Sequence, residues 1–270
     1  MKKLVFLAVL VLFFLPVLTF ASAPIVGGSG KTLPGKWWYI ESHSIVMNFD
    51  EAWSNNRWVK LPDSKEVFIH LNLSQVYFGV SDRFNLRLNV PFYWTLANGQ
   101  NNLHYLLGDI ILDSKFRFYQ VNNKFFFSLI PGISFATGDK RLRPFDSDES
   151  PLDFSGGYNL TTEFSRFGFH HYLLYCLKTQ NIPDYLQYNF AFDFTATHQL
   201  DLCFELNGKH WMGSLDGKRS LDLCAGIQFY PVGKTPCFEA SIMFPINNIG
   251  GLRYKGSPGI YAGFGYFWGK

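Results

Sequence analysis

The chain has 270 residues, 47% of them hydrophobic and 19% aromatic, with 29 phenylalanines, so it needs either one very large core or a lipid solvent. Its formal charge of +3 falls to +1 once Lys2 and Lys3 are set aside (3 − 2), a balance that argues against a nucleic-acid partner. The four cysteines, Cys176, Cys203, Cys224 and Cys237, have no C-x-x-C spacing and no histidine cluster beside them, so neither a metal nor a cofactor is expected.

Residues 1–23 read as a secretory signal. Lys2 and Lys3 give a positive start, Leu4 to Phe20 an apolar run broken by Pro16, and Ala21-Ser22-Ala23 a small-residue cleavage site. Residues 24–35 follow as an N-terminal periplasmic segment. No later apolar run reaches the roughly 18 residues that a spanning helix requires. A membrane location for residues 36–270 therefore has to come from strands.

Twelve strands are predicted, over 36–48, 66–79, 84–95, 106–120, 125–137, 153–164, 168–178, 185–195, 200–207, 220–230, 237–245 and 259–268. The third shows the pattern best: Phe84, Leu86, Leu88, Val90, Phe92 and Trp94 alternate with Asn85, Arg87, Asn89 and Tyr93, so one face is apolar and the other polar. Short joins alternate with longer ones. Val80-Ser81-Asp82-Arg83, Val121-Asn122-Asn123-Lys124, Ser165-Arg166-Phe167-Gly168, Ala196-Thr197-His198-Gln199 and 232–236 are short, whereas 49–65, 96–105, 138–152, 179–184, 208–219 and 246–258 are long. A β-sandwich also alternates, but it sets no rhythm of join lengths and no preference for aromatics at strand ends. Here Trp37, Trp38, Phe92, Trp94, Phe116, Phe118, Phe229, Tyr266 and Trp268 gather there, as interfacial girdles do. The expected fold is an all-β, transmembrane, antiparallel up-and-down β-barrel of about 12 strands in the bacterial outer membrane, with short periplasmic turns and longer extracellular loops.

Tyr77-Phe78-Gly79-Val80-Ser81-Asp82-Arg83-Phe84 followed by Leu88-Asn89-Val90-Pro91-Phe92 resembles a strand-turn-strand motif of the outer-membrane proteins grouped as the meta-pathway phenol-degradation family. Leu107-Gly108-Asp109-Ile110, Lys115-Phe116-Arg117-Phe118 and the stretch from Ile130 to Asp139, with its Pro131-Gly132 and Thr137-Gly138-Asp139, are similar to two more of its motifs. The resemblance is carried by residues 77–139. It implies a barrel that moves hydrophobic or aromatic compounds across the outer membrane, and it brings no catalytic residue with it.

The polar positions of the strands nominate a lumen lining of Arg87, Asp113, Lys115, Arg117, Glu163, Asp193, Asp201 and Glu205. Basic members lie early and acidic ones late, which raises two readings: opposed walls that align a polar solute, or charges that pair and stiffen the interior. An outer-membrane lipid hydrolase with a rim active site is an alternative from another class. His70, Asn72 and Ser74 share a strand face, but they and His43, His170 and His171 lack the spacing of a nucleophile, base and orienting acid. No catalytic residue is assigned. A third alternative is a structural barrel without transport. Asp146-Ser147-Asp148-Glu149 lacks the spaced oxygen ligands of a calcium loop. Cys203 and Cys224 would face each other if their hairpin were symmetric about residues 213 and 214, leaving a bond between them open. The expected protein is a monomeric channel or transporter for passive passage of small, hydrophobic or aromatic, molecules. Its partners are such a solute, outer-membrane lipid and lipopolysaccharide.

Overall fold

Two-residue alternation with polar punctuation leaves each strand one face to bury and one to expose, and the computed structural model resolves that demand by closing the sheet on itself. It describes residues 28–54, 57–60, 67–97, 104–138, 152–179, 183–212, 219–231, 236–249, 254–256 and 258–269. The signal segment 1–23, the acidic run 146–149 and the turn at 232–235 lie outside them.

Among the described residues fifteen strands form: β1 (Trp38–Ser54), β2 (Arg57–Lys60), β3 (Val67–Ser81), β4 (Phe84–Ala97), β5 (His104–Leu107), β6 (Ile110–Val121), β7 (Phe125–Phe135), β8 (Leu152–Phe164), β9 (Phe167–Leu177), β10 (Tyr185–Thr195), β11 (Leu200–Trp211), β12 (Arg219–Phe229), β13 (Cys237–Ile249), β14 (Tyr254–Gly256) and β15 (Gly259–Trp268). Twelve make the wall, in the order β1-β15-β13-β12-β11-β10-β9-β8-β7-β6-β4-β3, and β3 pairs back with β1 to close it. The closing seam runs from Trp38↔Phe78 to Phe49↔Val67. Short β2, β5 and β14 only extend the wall at the extracellular loops, pairing with β1, β4 and β1.

The wall is apolar outside. Leu86, Leu88, Leu129, Phe190, Phe204 and Ile260 are exposed, while Asn85, Asn89, Ser128, Asn189, Glu205 and Tyr261, at alternate positions of the same strands, are buried. At the periplasmic end Trp38 stacks on Trp268 (centroids 6.1 Å apart), and farther around the same rim Phe116, Phe118 and Phe164 are exposed, forming a girdle. The turns at this end are tight. Asn122 and Asn123 both hold positive φ (48° and 52°), the mirror-image turn geometry that suits the twist of a hairpin and that Asn tolerates. Ser165 does the same between β8 and β9 (φ 54°).

The segment before β1 does not stand apart from the barrel. Its described part, Gly28 to Lys36, lies as a strap against the inner wall. Ser128 Oγ donates to the Gly30 carbonyl (2.5 Å), the Gly30 amide donates to Thr161 Oγ1 (2.8 Å), and Lys115 Nζ donates to the Ser29 carbonyl (2.6 Å). The strap then turns under the rim, where the Lys36 amide donates to the Gly79 carbonyl (2.6 Å) and the Gly35 amide to Asp82 Oδ1 (2.8 Å). Gly79 is required here, because any side chain would overlap the Pro34 carbonyl.

All four cysteines are free and buried. The β11–β12 register pairs Cys203 with Gly226 and Glu205 with Cys224, one pair off the symmetric hairpin, so the two thiols are diagonal rather than opposite.

Candidate functional site

The polar residues on the inner face gather into a belt. Arg87 (β4) holds Asp113 (β6) in a forked pair: Nε is 2.9 Å from both carboxylate oxygens and Nη2 is 2.7 Å from Oδ2. Asn89 Nδ2 donates to the same carboxylate (3.0 Å). Arg87 Nη1 donates to the Tyr77 hydroxyl (3.3 Å), which in turn donates to Glu41 Oε1 (2.6 Å). His43 stands between two acids, with Nε2 3.2 Å from Glu41 and Nδ1 3.6 Å from Glu239. Tyr261 and Gln228 donate to Glu239 at 3.1 and 2.6 Å. The row crosses seven strands, from β6 through β4, β3, β1 and β15 to β13 and β12. Just beyond β12, burial pushes the Tyr230 phenol well above its usual range, so it stays protonated and donates to Gln228 Oε1 (3.2 Å).

On the opposite wall Thr161 Oγ1 lies 2.8 Å from His170 Nδ1, and His170 Nε2 lies 3.4 Å from Asp193 Oδ1. This is a hydroxyl-imidazole-carboxylate row, but Thr161 is 0% exposed and its oxygen is engaged by the strap at Gly30. Asn189 Nδ2 donates to Glu205 Oε2 (2.9 Å), and Asp201 is fully buried at the foot of β11. Lys31 of the strap forms an ion pair with Glu163.

Of the residues nominated from the sequence, the structure joins Arg87 to Asp113 and connects Lys115 and Glu163 through the strap. Asp193, Asp201 and Glu205 belong to the far wall. Arg117 stands lower, at the periplasmic rim: its amide donates to the Arg83 carbonyl (2.8 Å), and both arginines border a cavity of about 400 Å³ with Tyr119 and Asn122. The opposed basic and acidic walls are not separate, since Asp113 neutralises Arg87 from the next strand. Sequence reasoning missed Glu41 and Tyr77, although the alternation of β1 and β3 places them on one face with His43. It missed the strap because that segment has no period.

Polarity inverts where β1 meets β3. Continuing the inner face upward from His43 and Gln75 gives Ile45, Met47, Ile69, Leu71 and Leu73, all partly exposed. The outer face carries Ser42, Ser44, His70, Asn72 and Ser74. Ser44 Oγ lies 2.6 Å from His70 Nε2, Asn72 Nδ2 donates to Ser42 Oγ (3.2 Å), and Ser74 Oγ donates to Asn72 Oδ1 (3.1 Å). The strand face that prompted a catalytic reading thus points outward, toward lipid.

A closed twelve-stranded wall, apolar outside and polar within, defines a transmembrane β-barrel of the bacterial outer membrane. The fold is similar to the crystal structure of the COG4313 outer membrane channel from Pseudomonas putida F1, with a TM-score of 0.70 at 10% identity over 90% of this chain and 100% of that one. It is also similar to the NanC porin (TM-score 0.54, 6% identity, 83% of this chain and 98% of that one). A third likeness is to the deltaS2S3 mutant of the monoaromatic hydrocarbon channel TodX (TM-score 0.50, 8% identity, 88% of this chain and 91% of that one). At such identities the likeness concerns the fold. No protein-family model matches the chain, and no curated protein matches it.

Proposed function

We propose that the protein is a passive outer-membrane channel for small molecules and that it favours hydrophobic or aromatic solutes. The observation that carries this reading is the divided bore. An apolar patch of Ile45, Met47, Ile69, Leu71 and Leu73 in the extracellular half gives an apolar solute a place to leave water, and the polar belt of mutually bonded side chains lies below it. Arg87, Asp113, Lys115, Glu163, Asp193, Asp201 and Glu205 line the path, and Arg117 stands at its exit. The motifs in 77–139 that resemble the meta-pathway phenol-degradation family support the same solute class, as does the monoaromatic hydrocarbon channel among the similar folds.

Flux into vesicles tests the reading. Purified protein in liposomes is expected to admit a small aromatic solute faster than a sugar of similar size. Replacing Leu71 and Leu73 together by Asn is expected to remove that preference while the barrel still forms. Flux of neither solute would overturn the channel reading, and equal flux of both would overturn the solute class. Release of fatty acid from the vesicle phospholipid by the same preparation would favour the hydrolase alternative.

A further inference from the structure

The outward-facing polar cluster at the β1–β3 seam lies at a depth where lipid supplies no hydrogen bonds. Ser44 is six residues along β1 from Trp38 of the periplasmic girdle, which is about 20 Å of strand and, at a tilt of about 40°, about 15 Å of height. The apolar band of such a barrel is about 25 Å tall, so the cluster sits near its middle. The pairs within the cluster satisfy only part of its capacity. His70 has a second ring nitrogen and Asn72 a second amide proton with no hydrogen-bond partner among the described residues. Polar groups left open to hydrocarbon are costly, and membrane proteins ordinarily turn them toward protein.

The surface beside the cluster is shaped for close approach. Register places Asn72 opposite Ser44, Ser44 opposite Ala262, and Ala262 opposite Ala240, so one row runs straight across β3, β1, β15 and β13 with only small or polar side chains. Bulkier residues flank it on both sides, with Val46, Ile260 and Ile242 above and Phe264 and Phe238 below. A shallow furrow results, floored by hydrogen-bonding groups at one end and by methyl groups at the other. No charged residue lies in the row.

We propose that the β3-β1-β15-β13 face is an interface with a second copy of this chain within the membrane. Hydroxyl, amide and imidazole groups each donate and accept, so the cluster is complementary to itself, as an isologous contact requires. Small residues let two walls approach closely enough for those groups to meet, and interhelical contacts in membranes use the same combination. The assembly does not depend on what passes through the bore.

Ser44→Cys and, on the far wall, Phe190→Cys are compared in phospholipid vesicles under copper-phenanthroline oxidation, with sedimentation in density-matched detergent giving the mass. The four native cysteines are buried and serve as background. Ser44→Cys is expected to give a covalent dimer and Phe190→Cys none. Adding Ala262→Trp, which fills the furrow and leaves the polar groups in place, is expected to abolish the cross-link and to halve the sedimenting mass. Heat-modifiable migration on gels confirms that each variant still forms the barrel. A wild-type protein that sediments as one copy would overturn the proposal, as would equal cross-linking at both positions or an Ala262→Trp variant that still pairs. Coverage of the face by lipid or by a different protein would appear as the first of these results.

Discussion

A Gly30→Val substitution is expected to free the strap from the inner wall and to raise the single-channel conductance of the reconstituted barrel several-fold. A side-chain carbon at this position would sit 2.6 Å from the Phe126 carbonyl oxygen and 3.1 Å from the Thr161 amide nitrogen. Both are backbone atoms of paired strands, so the wall cannot yield and the strap has to move. The move breaks the strap's bonds with Ser128, Thr161 and Lys115. Three hydrogen bonds of about 1 kcal/mol net shift the bound-to-released ratio by about 150-fold, before the overlap itself is counted. Planar-bilayer recording of the variant against wild type reads the change. Equal conductance from a properly folded variant would show that the strap does not limit passage.

Arg87→Met is expected to destabilise the barrel by about 3 kcal/mol, because it leaves the Asp113 carboxylate buried without its cation. Asp113 is 7% exposed and its remaining partner is Asn89, a neutral donor at 3.0 Å. The double variant Arg87→Met, Asp113→Asn is expected to recover most of the loss, since the cost arises from the unpaired charge rather than from the lost contact. Urea titration of the refolded protein in lipid vesicles, read by band shift, gives both values. If the single and double variants are equally unstable, the pair stabilises by packing and its charge is immaterial. The same pair bears on the bore: a forked ion pair between adjacent strands fixes the arginine against the wall, where a solute meets a neutral surface rather than a free cation.

Much of the barrel was legible because its solvents impose a rule on every second residue. Asn85, Arg87 and Asn89 against Leu86, Leu88 and Val90 can face only one way once lipid lies on one side, and the other wall strands away from the β1–β3 seam follow the same pattern. The tight turns were legible for a local reason, since Asn122-Asn123 tolerates the left-handed backbone that a two-residue hairpin demands. Three features were not. Residues 28–36 have no period, and their position against Ser128 and Thr161 depends on contacts about a hundred residues away in the chain. The offset of Cys203 from Cys224 depends on where the β11–β12 hairpin turns, and a shift of one pair there changes which side chains oppose without changing the face pattern. The inverted seam broke the rule outright. His70, Asn72 and Ser74 are polar, and a reader who assigns polar residues to the bore places them inside, whereas continuous pairing with β1 carries the register of Tyr77 and Gln75 through to Leu73 and Leu71 and sends them outward. Such exceptions to a strong pattern are where a barrel differs from its scaffold, and both the proposed solute patch and the proposed interface lie on this one.

A spin-label scan of Asn85 to Trp94, one position at a time in vesicles, tests the underlying architecture most directly. Labels at 86, 88, 90, 92 and 94 are expected to collide with oxygen dissolved in the bilayer, and labels at 85, 87, 89 and 93 with a water-soluble nickel chelate, in strict alternation. Uniform access to the chelate along the strand, or the opposite phase, would contradict a lipid-embedded barrel with a polar interior.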